Sequence, residues 1–234
     1  MKITTTICTL LFATSTMFSQ TLEANKANLI IEKAIEARGG KALLNSIQTL
    51  YSNSKTVMDG RDVNWITKEM APNKGSFEIV YQDRIVFKSF YNGKVGFEYV
   101  NGEKKPADPE EFKDKIYRKH IINELDYIDS TLYKLEYIGE EKANKKDCDK
   151  IKATLANGKV TFLYYDKKTN FLVKTDVVKN PEKNSFSTIL YDGYKKFGDL
   201  VYETKSTFVS EDGNQESKIV ELYYNRKISD KDFE

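Results

Sequence analysis

A chain of 234 residues has material for one large β domain or two small ones, and a single domain is expected over residues 21–234. With 37 Lys and Arg against 35 Asp and Glu, its surface mixes signs at a formal charge of +2 and has no bulk attraction for a nucleic-acid backbone. The 15 Tyr and 13 Phe beside a single Trp suit strands and apolar pockets better than helix bundles.

Residues 1–20 read as a cleavable signal peptide. Lys2 supplies the positive start, Ile7 to Phe12 the apolar run and Phe18-Ser19-Gln20 the junction. Thr4, Thr5, Thr6, Thr9, Thr14, Ser15 and Thr16 dilute this segment below the roughly 20 apolar residues a span requires, so no membrane-spanning segment is expected. Cys8 lies inside the apolar run rather than after it, the wrong place for a lipidated cysteine. Removing the leader leaves Cys148 alone, without an internal disulfide partner, and a buried small hydrophobe is its expected role.

Beyond the leader, Ala27, Ile30, Ile31, Ala34 and Ile35 recur at helical spacing up to Gly39-Gly40, and Ala42, Leu43, Leu44 and Ile47 line a second, shorter turn. The spacing predicts two helices over 27–47, hinged at the double glycine, whose apolar stripes need a sheet to lie on. From Thr49 the punctuation becomes that of hairpins: Asp59-Gly60, Asn92-Gly93, Asn101-Gly102, Asn157-Gly158, Asp192-Gly193 and Asp212-Gly213 each fall between strand-like runs. Type I′ turns and an antiparallel meander are expected. Tyr133, Leu135 and Tyr137 alternate with Lys134 and Glu136, as a strand with one dry face would, whereas Phe162 to Tyr165 and Phe171 to Val173 are apolar on both faces and call for cover on both.

One helix is predicted to interrupt the meander, capped by Asp108 with Pro109 at its first position. Phe112, Ile116, Tyr117, Ile121, Leu125 and Ile128 continue it as one apolar stripe. Lying between hairpins, it is expected to cross an open end or face of the sheet as a lid.

Catalytic groupings are sparse. His120 is the single histidine, and the chain has no Gly-x-Ser-x-Gly elbow, no Walker-type loop and no dinucleotide fingerprint. Glu110-Glu111 and the Asp147/Asp149 pair read as solvated surface. No catalytic residue, metal site or cofactor is therefore expected.

The order of the pieces carries a resemblance. Ala37-Arg38-Gly39-Gly40 closing the first helix, Ile47-Gln48-Thr49-Leu50 entering the first strand, Lys68-Glu69-Met70-Ala71-Pro72-Asn73-Lys74, Tyr91-Asn92-Gly93-Lys94-Val95-Gly96-Phe97, Tyr165-Asp166 through Phe171-Leu172, and Asn225-Arg226-Lys227-Ile228 through Asp232-Phe233 resemble landmarks of LolA-like outer-membrane lipoprotein-sorting proteins. The resemblance covers nearly the whole mature chain. It implies a mainly β, α+β fold, in which a strongly curved antiparallel sheet forms an unclosed half-barrel with helices on its concave side. It also implies a periplasmic location, a lipid or lipoprotein acyl chain as ligand and an envelope protein as a second kind of partner. An arginine that holds the lid closed is part of the family pattern; Arg61, Arg84 and Arg118 qualify by charge.

The cavity is expected to be lined by the bulky members of the strands, Trp65, Phe77, Ile79, Phe87, Tyr99, Phe162, Tyr164, Leu222 and Tyr224, and covered by Phe112, Ile116 and Ile121. The expected function is that of a non-enzymatic lipid or acyl-chain carrier. The alternative is a sensing module of the same fold that recognises a protein without carrying lipid. A slip of one residue in strand phase would turn every side chain to the opposite face.

Overall fold

The computed structural model describes residues 8–100 and 102–234, with side chains from residue 23 onward other than that of Val100. The leader expected over residues 1–20 thus lies outside the described residues for 1–7, and only its backbone is described beyond them. Among the described residues no helix is long and apolar enough to cross a membrane.

Helix α1 (Cys8–Ala37) ends where Gly39 takes a φ of 128°, in the left-handed region that a Cβ disfavours, and α2 (Lys41–Ser46) follows at once. Ala27, Ile31, Ala34, Ile35, Leu44 and Ile47 are buried, so both apolar stripes are spent on one core. The strands are β1 (Thr49–Met58), β2 (Arg61–Met70), β3 (Lys74–Tyr81), β4 (Arg84–Tyr91), β5 (Gly96–Val100), β6 (Glu103–Pro106), β7 (Tyr133–Ala143), β8 (Lys146–Leu155), β9 (Val160–Asp166), β10 (Leu172–Asn180), β11 (Ser185–Asp192), β12 (Lys195–Phe197), β13 (Leu200–Tyr202), β14 (Lys205–Val209) and β15 (Gln215–Tyr224). Between β6 and β7 stand α3 (Pro109–Phe112), a 3₁₀ turn (Lys115–Tyr117) and α4 (Asn123–Tyr127).

All pairings are antiparallel, and 13 strands form one sheet in the order β6-β5-β4-β3-β2-β1-β15-β14-β11-β10-β9-β8-β7, with β12 and β13 as a separate ribbon. Its ends do not pair, so it is not a closed barrel. This order dictates the path of the middle of the chain. Strands β6 and β7 are consecutive in sequence yet stand at opposite edges, so residues 107–132 must travel across the sheet to join them. Curvature is visible in the contact of Trp65 on β2 with Phe208 on β14. These strands are three apart, about 14 Å on a flat sheet, yet the ring centroids are 5.6 Å apart.

The expected turn chemistry needs refinement. Asp59 and Gly60 both have positive φ (49° and 72°), as a type I′ turn requires, and so do Gln82-Asp83 and Asn144-Lys145, which contain no glycine. At Asn92-Gly93 and Asn157-Gly158 only the glycine has positive φ. Asp192-Gly193 does not join two neighbours of the main sheet; it leaves β11 for the β12–β13 ribbon, and β11 pairs with β14 instead.

The single helix expected over 109–128 is also corrected. Asp108 does cap it, accepting from the Glu110 amide at 3.0 Å, but α3 stops at Phe112 and helix resumes only at Asn123. Side chains take over the intervening backbone. Arg118 donates to the carbonyls of His120 (3.1 Å) and Ile121 (2.8 Å), while Asp126 accepts from the amides of Lys119 (3.2 Å) and His120 (3.1 Å). Satisfied this way, the segment has no need of i→i−4 bonds.

Candidate functional site on the concave face

Register decides which side chains share a face, because cross-strand partners point the same way. Leu50 and Leu222 belong to the core under the helices, and the ladder through Leu50↔Tyr224, Ser52↔Leu222, Ser54↔Trp65, Trp65↔Ile79 and Ile79↔Phe87 carries that face outward to β4. Trp65, Phe77, Ile79, Phe87, Leu222 and Tyr224 therefore lie on the concave side. The other three strand residues of the expected list do not.

Phe162 and Tyr164 alternate with the core residues Leu163 and Tyr165 and sit on the convex side, in a separate cluster with Ala143, Cys148 and Val173. The run from Val160 to Tyr165 is apolar at nearly every position, so it carried no phase signal. Tyr164 donates to Asp176 at 2.9 Å, and burial followed by that bond pushes its phenol up. Tyr99 is paired with Lys88 on the convex side, where it joins Phe90 and Phe97. Register with β4 puts Gly96 and Glu98 on the concave side instead, and position 96 has no room for a side chain: a Cβ there would come 2.2 Å from the Phe112 ring. Cys148 is fully buried, in keeping with its expected role, and burial raises its thiol pKa.

The cover residues also divide. Phe112 stacks on Tyr91 with ring centroids 5.5 Å apart, and Ile121 is buried in the core, but Ile116 is 65% exposed because the 3₁₀ turn rotates it off the stripe. Beneath this crossing segment is a cavity of about 330 Å³, walled on one side by Tyr117, Tyr127, Tyr133 and Tyr191 with Leu155, Val177 and Ile189, and on the other by charged groups that include Glu111, Asp114, Lys115 and Arg118. Burial raises the phenol pKa of Tyr133 and Tyr191 to about 12, so both stay neutral. From Ile189 an aromatic strip leads out: Ile189 pairs with Phe208, Phe208 meets Trp65, Trp65 meets Phe77 at 5.7 Å and Phe77 meets Phe87 at 6.4 Å. None of these aromatic residues is fully buried, and Phe208 is 37% exposed.

Charges hold the cover in place. Of the three arginines singled out, Arg61 and Arg84 are exposed beside hairpin turns, whereas Arg118 lies within the crossing segment, 3.6 Å from both Glu69 and Asp126. The more deeply buried arginine is Arg38, which in sequence is only one residue of the Ala37-Arg38-Gly39-Gly40 helix stop. It pairs with Glu124 of α4 at 3.0 Å and with Glu203 at 3.3 Å, and its guanidinium lies over the Tyr202 ring. Burial works against the charge on Arg38, but the two carboxylates outweigh it and hold the pKa above its ordinary value. Its spacing of three and four from Ile35 and Ala34 put it in the core-facing phase of α1, which was the available signal. His120 bonds through Nδ1 to Asp126 at 2.8 Å, and Asp126 also organises the loop around it. Among the described residues no three His, Cys, Asp or Glu side chains gather as a metal would need.

No protein-family model matches the chain, and no curated protein is similar to it in sequence. Solved structures are similar in fold. A domain described as an outer membrane lipoprotein-sorting protein from Vibrio parahaemolyticus superposes with a TM-score of 0.63 at 13% identity, covering 90% of this chain and 97% of that one. A DUF1329 family protein from Desulfovibrio piger gives 0.60 at 15% identity, over 89% and 97% of the two chains. A LolA superfamily protein from Nitrosomonas europaea gives 0.59 at 12% identity, over the same shares, 89% and 97%. The chain has the LolA-like fold.

Proposed function

We propose that this protein is a non-enzymatic periplasmic carrier that binds a lipid or lipoprotein acyl chain on its concave face. One observation carries the reading: the continuous apolar path from the tyrosine-walled cavity through Ile189, Phe208, Trp65 and Phe77 to Phe87. A soluble domain rarely leaves such a row of rings half-open unless something covers it. A flexible chain gains about 0.8 kcal/mol per buried methylene, so a 16-carbon chain can gain on the order of 10 kcal/mol before ordering costs. Residues 1–20 would direct export and be removed, and residues 21–234 would act as one domain. The fold neighbour described as a lipoprotein-sorting domain supports this ligand class. The alternative, recognition of an envelope protein, would use a different surface: β6, at the edge of the sheet opposite β7, is exposed along its whole length.

Trp65 is the single tryptophan and sits on the path, so its emission reports occupancy. Titration with a fluorescent fatty-acid probe should quench or shift Trp65 emission saturably. Phe77→Asp should abolish uptake, since a charge beside a buried chain costs several kcal/mol, while Phe162→Ser, on the convex face, should bind like wild type. Circular dichroism must show both variants folded. A folded wild type that takes up no probe sinks the carrier reading.

A further inference from the structure

The apolar path has a cation at its margin without an ion-pair partner among the described residues: of the carboxylates that line the same cavity, Asp114 is engaged by Lys159 and Asn157, and Glu111 is exposed. Lys115, on the 3₁₀ turn of the crossing segment, lines the cavity and reaches down to β3, where its Nζ would be 2.8 Å from a Cβ built on Gly75. Gly75 lies on the concave face, opposite Glu69 and Tyr91 and two residues from Phe77. Among the described residues no carboxylate lies within ion-pair distance of this ammonium and no hydrogen bond involves it. The one carboxylate on this face close enough to act on its charge, Glu69, is 3.6 Å from Arg118, so two cations share it. Burial, followed by Glu69 and then Arg118, sets its balance, and the net effect disfavours the charge. A half-buried ammonium in this state is short of an anion, and it stands where the aromatic strip meets the covered half of the sheet.

We infer that Lys115, seated over Gly75, receives the anionic head of the bound ligand, which makes the ligand class a single-chain amphiphile with a carboxylate or phosphate head. This rests on the acyl-chain reading above. The head docks at Lys115 and the chain runs along the strip past Phe77 and Trp65 to Phe208. The absence of a side chain at Gly75 opens the space the ammonium occupies.

Calorimetric titration of the full mature chain separates this inference from its premise. The probes are hexadecanoate, its methyl ester, a hexadecanoyl lysophosphatidate and inorganic phosphate. Wild type should bind both anionic amphiphiles about tenfold or more tightly than the ester, the scale of one charge-assisted contact. Lys115→Met should lose that preference while its ester affinity stays unchanged, and Lys115→Arg should keep it. Gly75→Ala, which displaces only the flexible tip of Lys115, should weaken the anions selectively.

Equal wild-type affinity for hexadecanoate and its ester overturns the head-group assignment and leaves the apolar site standing. Lys115→Met weakening ester and anion alike overturns it too, since the residue would then be structural. Displacement of the amphiphiles by millimolar phosphate alone would mark a free-anion site and also overturn it. Binding of none of the chains overturns the carrier reading itself. A preference for lysophosphatidate over hexadecanoate, or the reverse, identifies the head within the inferred class.

Discussion

Replacing Arg38 by Met tests whether the buried ion cluster fastens the cover. Arg38 and Glu124 are 5% and 1% exposed, and the pair joins the end of α1 to α4, with Glu203 completing it from beyond the β12–β13 ribbon. Removing the guanidinium leaves Glu124 and Glu203 without their counter-charge, a change that costs about 3–5 kcal/mol when a buried pair is broken from one side. Against a total stability of about 5–15 kcal/mol, this is a large fraction. With a urea m-value of about 2 kcal/mol/M, the midpoint should fall by roughly 2 M, followed by far-ultraviolet circular dichroism. The triple variant Arg38→Met, Glu124→Leu, Glu203→Leu removes the stranded charges and should recover most of the loss.

The sign of the pH dependence follows from Glu203. Burial raises its pKa above the ordinary 4.5 despite Arg38, so the native state binds this proton more readily than the unfolded chain does. Its contribution is greatest below 4.5 and is lost as pH climbs through the raised value. Without Arg38 that value rises further, so the deficit of Arg38→Met should be smaller at about pH 5 than at about pH 8. A midpoint change corresponding to less than about 1 kcal/mol, or a triple variant no more stable than the single one, refutes the reasoning.

Gly96→Ala should cost about 1–3 kcal/mol by overpacking, and adding Phe112→Ala should relieve it, because the new methyl would occupy the Phe112 ring position; thermal melts of the two variants decide this. Asp129 is held at a pKa of about 2 by Lys119 and Thr131, below its ordinary 3.8, so its contribution is present above 3.8 and lost as pH falls toward 2. Asp129→Asn should then flatten the acid limb of stability in that window, measured by acid titration of the circular dichroism signal. His120→Gln should cost no more than about 1 kcal/mol and leave chain uptake intact, since the His120 ring serves Asp126 through one hydrogen bond; loss of uptake in the folded variant would point to chemistry at this residue.

Much was legible before any coordinates, and for local reasons. The stripe at Ala27, Ile31, Ala34 and Ile35 with the glycines after it specifies the C-terminal part of α1 and its end, because helical spacing and positive φ need no distant partner, whereas the start of α1 at Cys8 is not legible there. Asp59-Gly60 specifies its hairpin in the same way, and Asp108-Pro109 the start of α3. Composition pointed to an aromatic-rich sheet. Trp65, Phe77, Ile79 and Phe87, expected in the cavity as the bulky members of their strands, do share one side, but it is the register that fixes this.

Tertiary structure decided the rest. Phe162, Tyr164 and Tyr99 lie in runs whose neighbours are equally apolar or are displaced by another element, so only pairing with β8, β10 and β4 fixes their face. The 109–128 stripe was sound as a pattern, yet Arg118 and Asp126 satisfy the backbone there more locally than a helix would, and Ile116 turns outward as a result. Arg38 with Glu124, Phe208 with Trp65 and Lys115 over Gly75 join residues 86, 143 and 40 positions apart, respectively. Glu124 and Lys115 reach their partners because β6 and β7 stand at opposite edges and force the chain back across the concave face, and Phe208 reaches Trp65 because the sheet curves. Periodicity records which side of an element is dry; it takes the packed sheet to determine what lies against it.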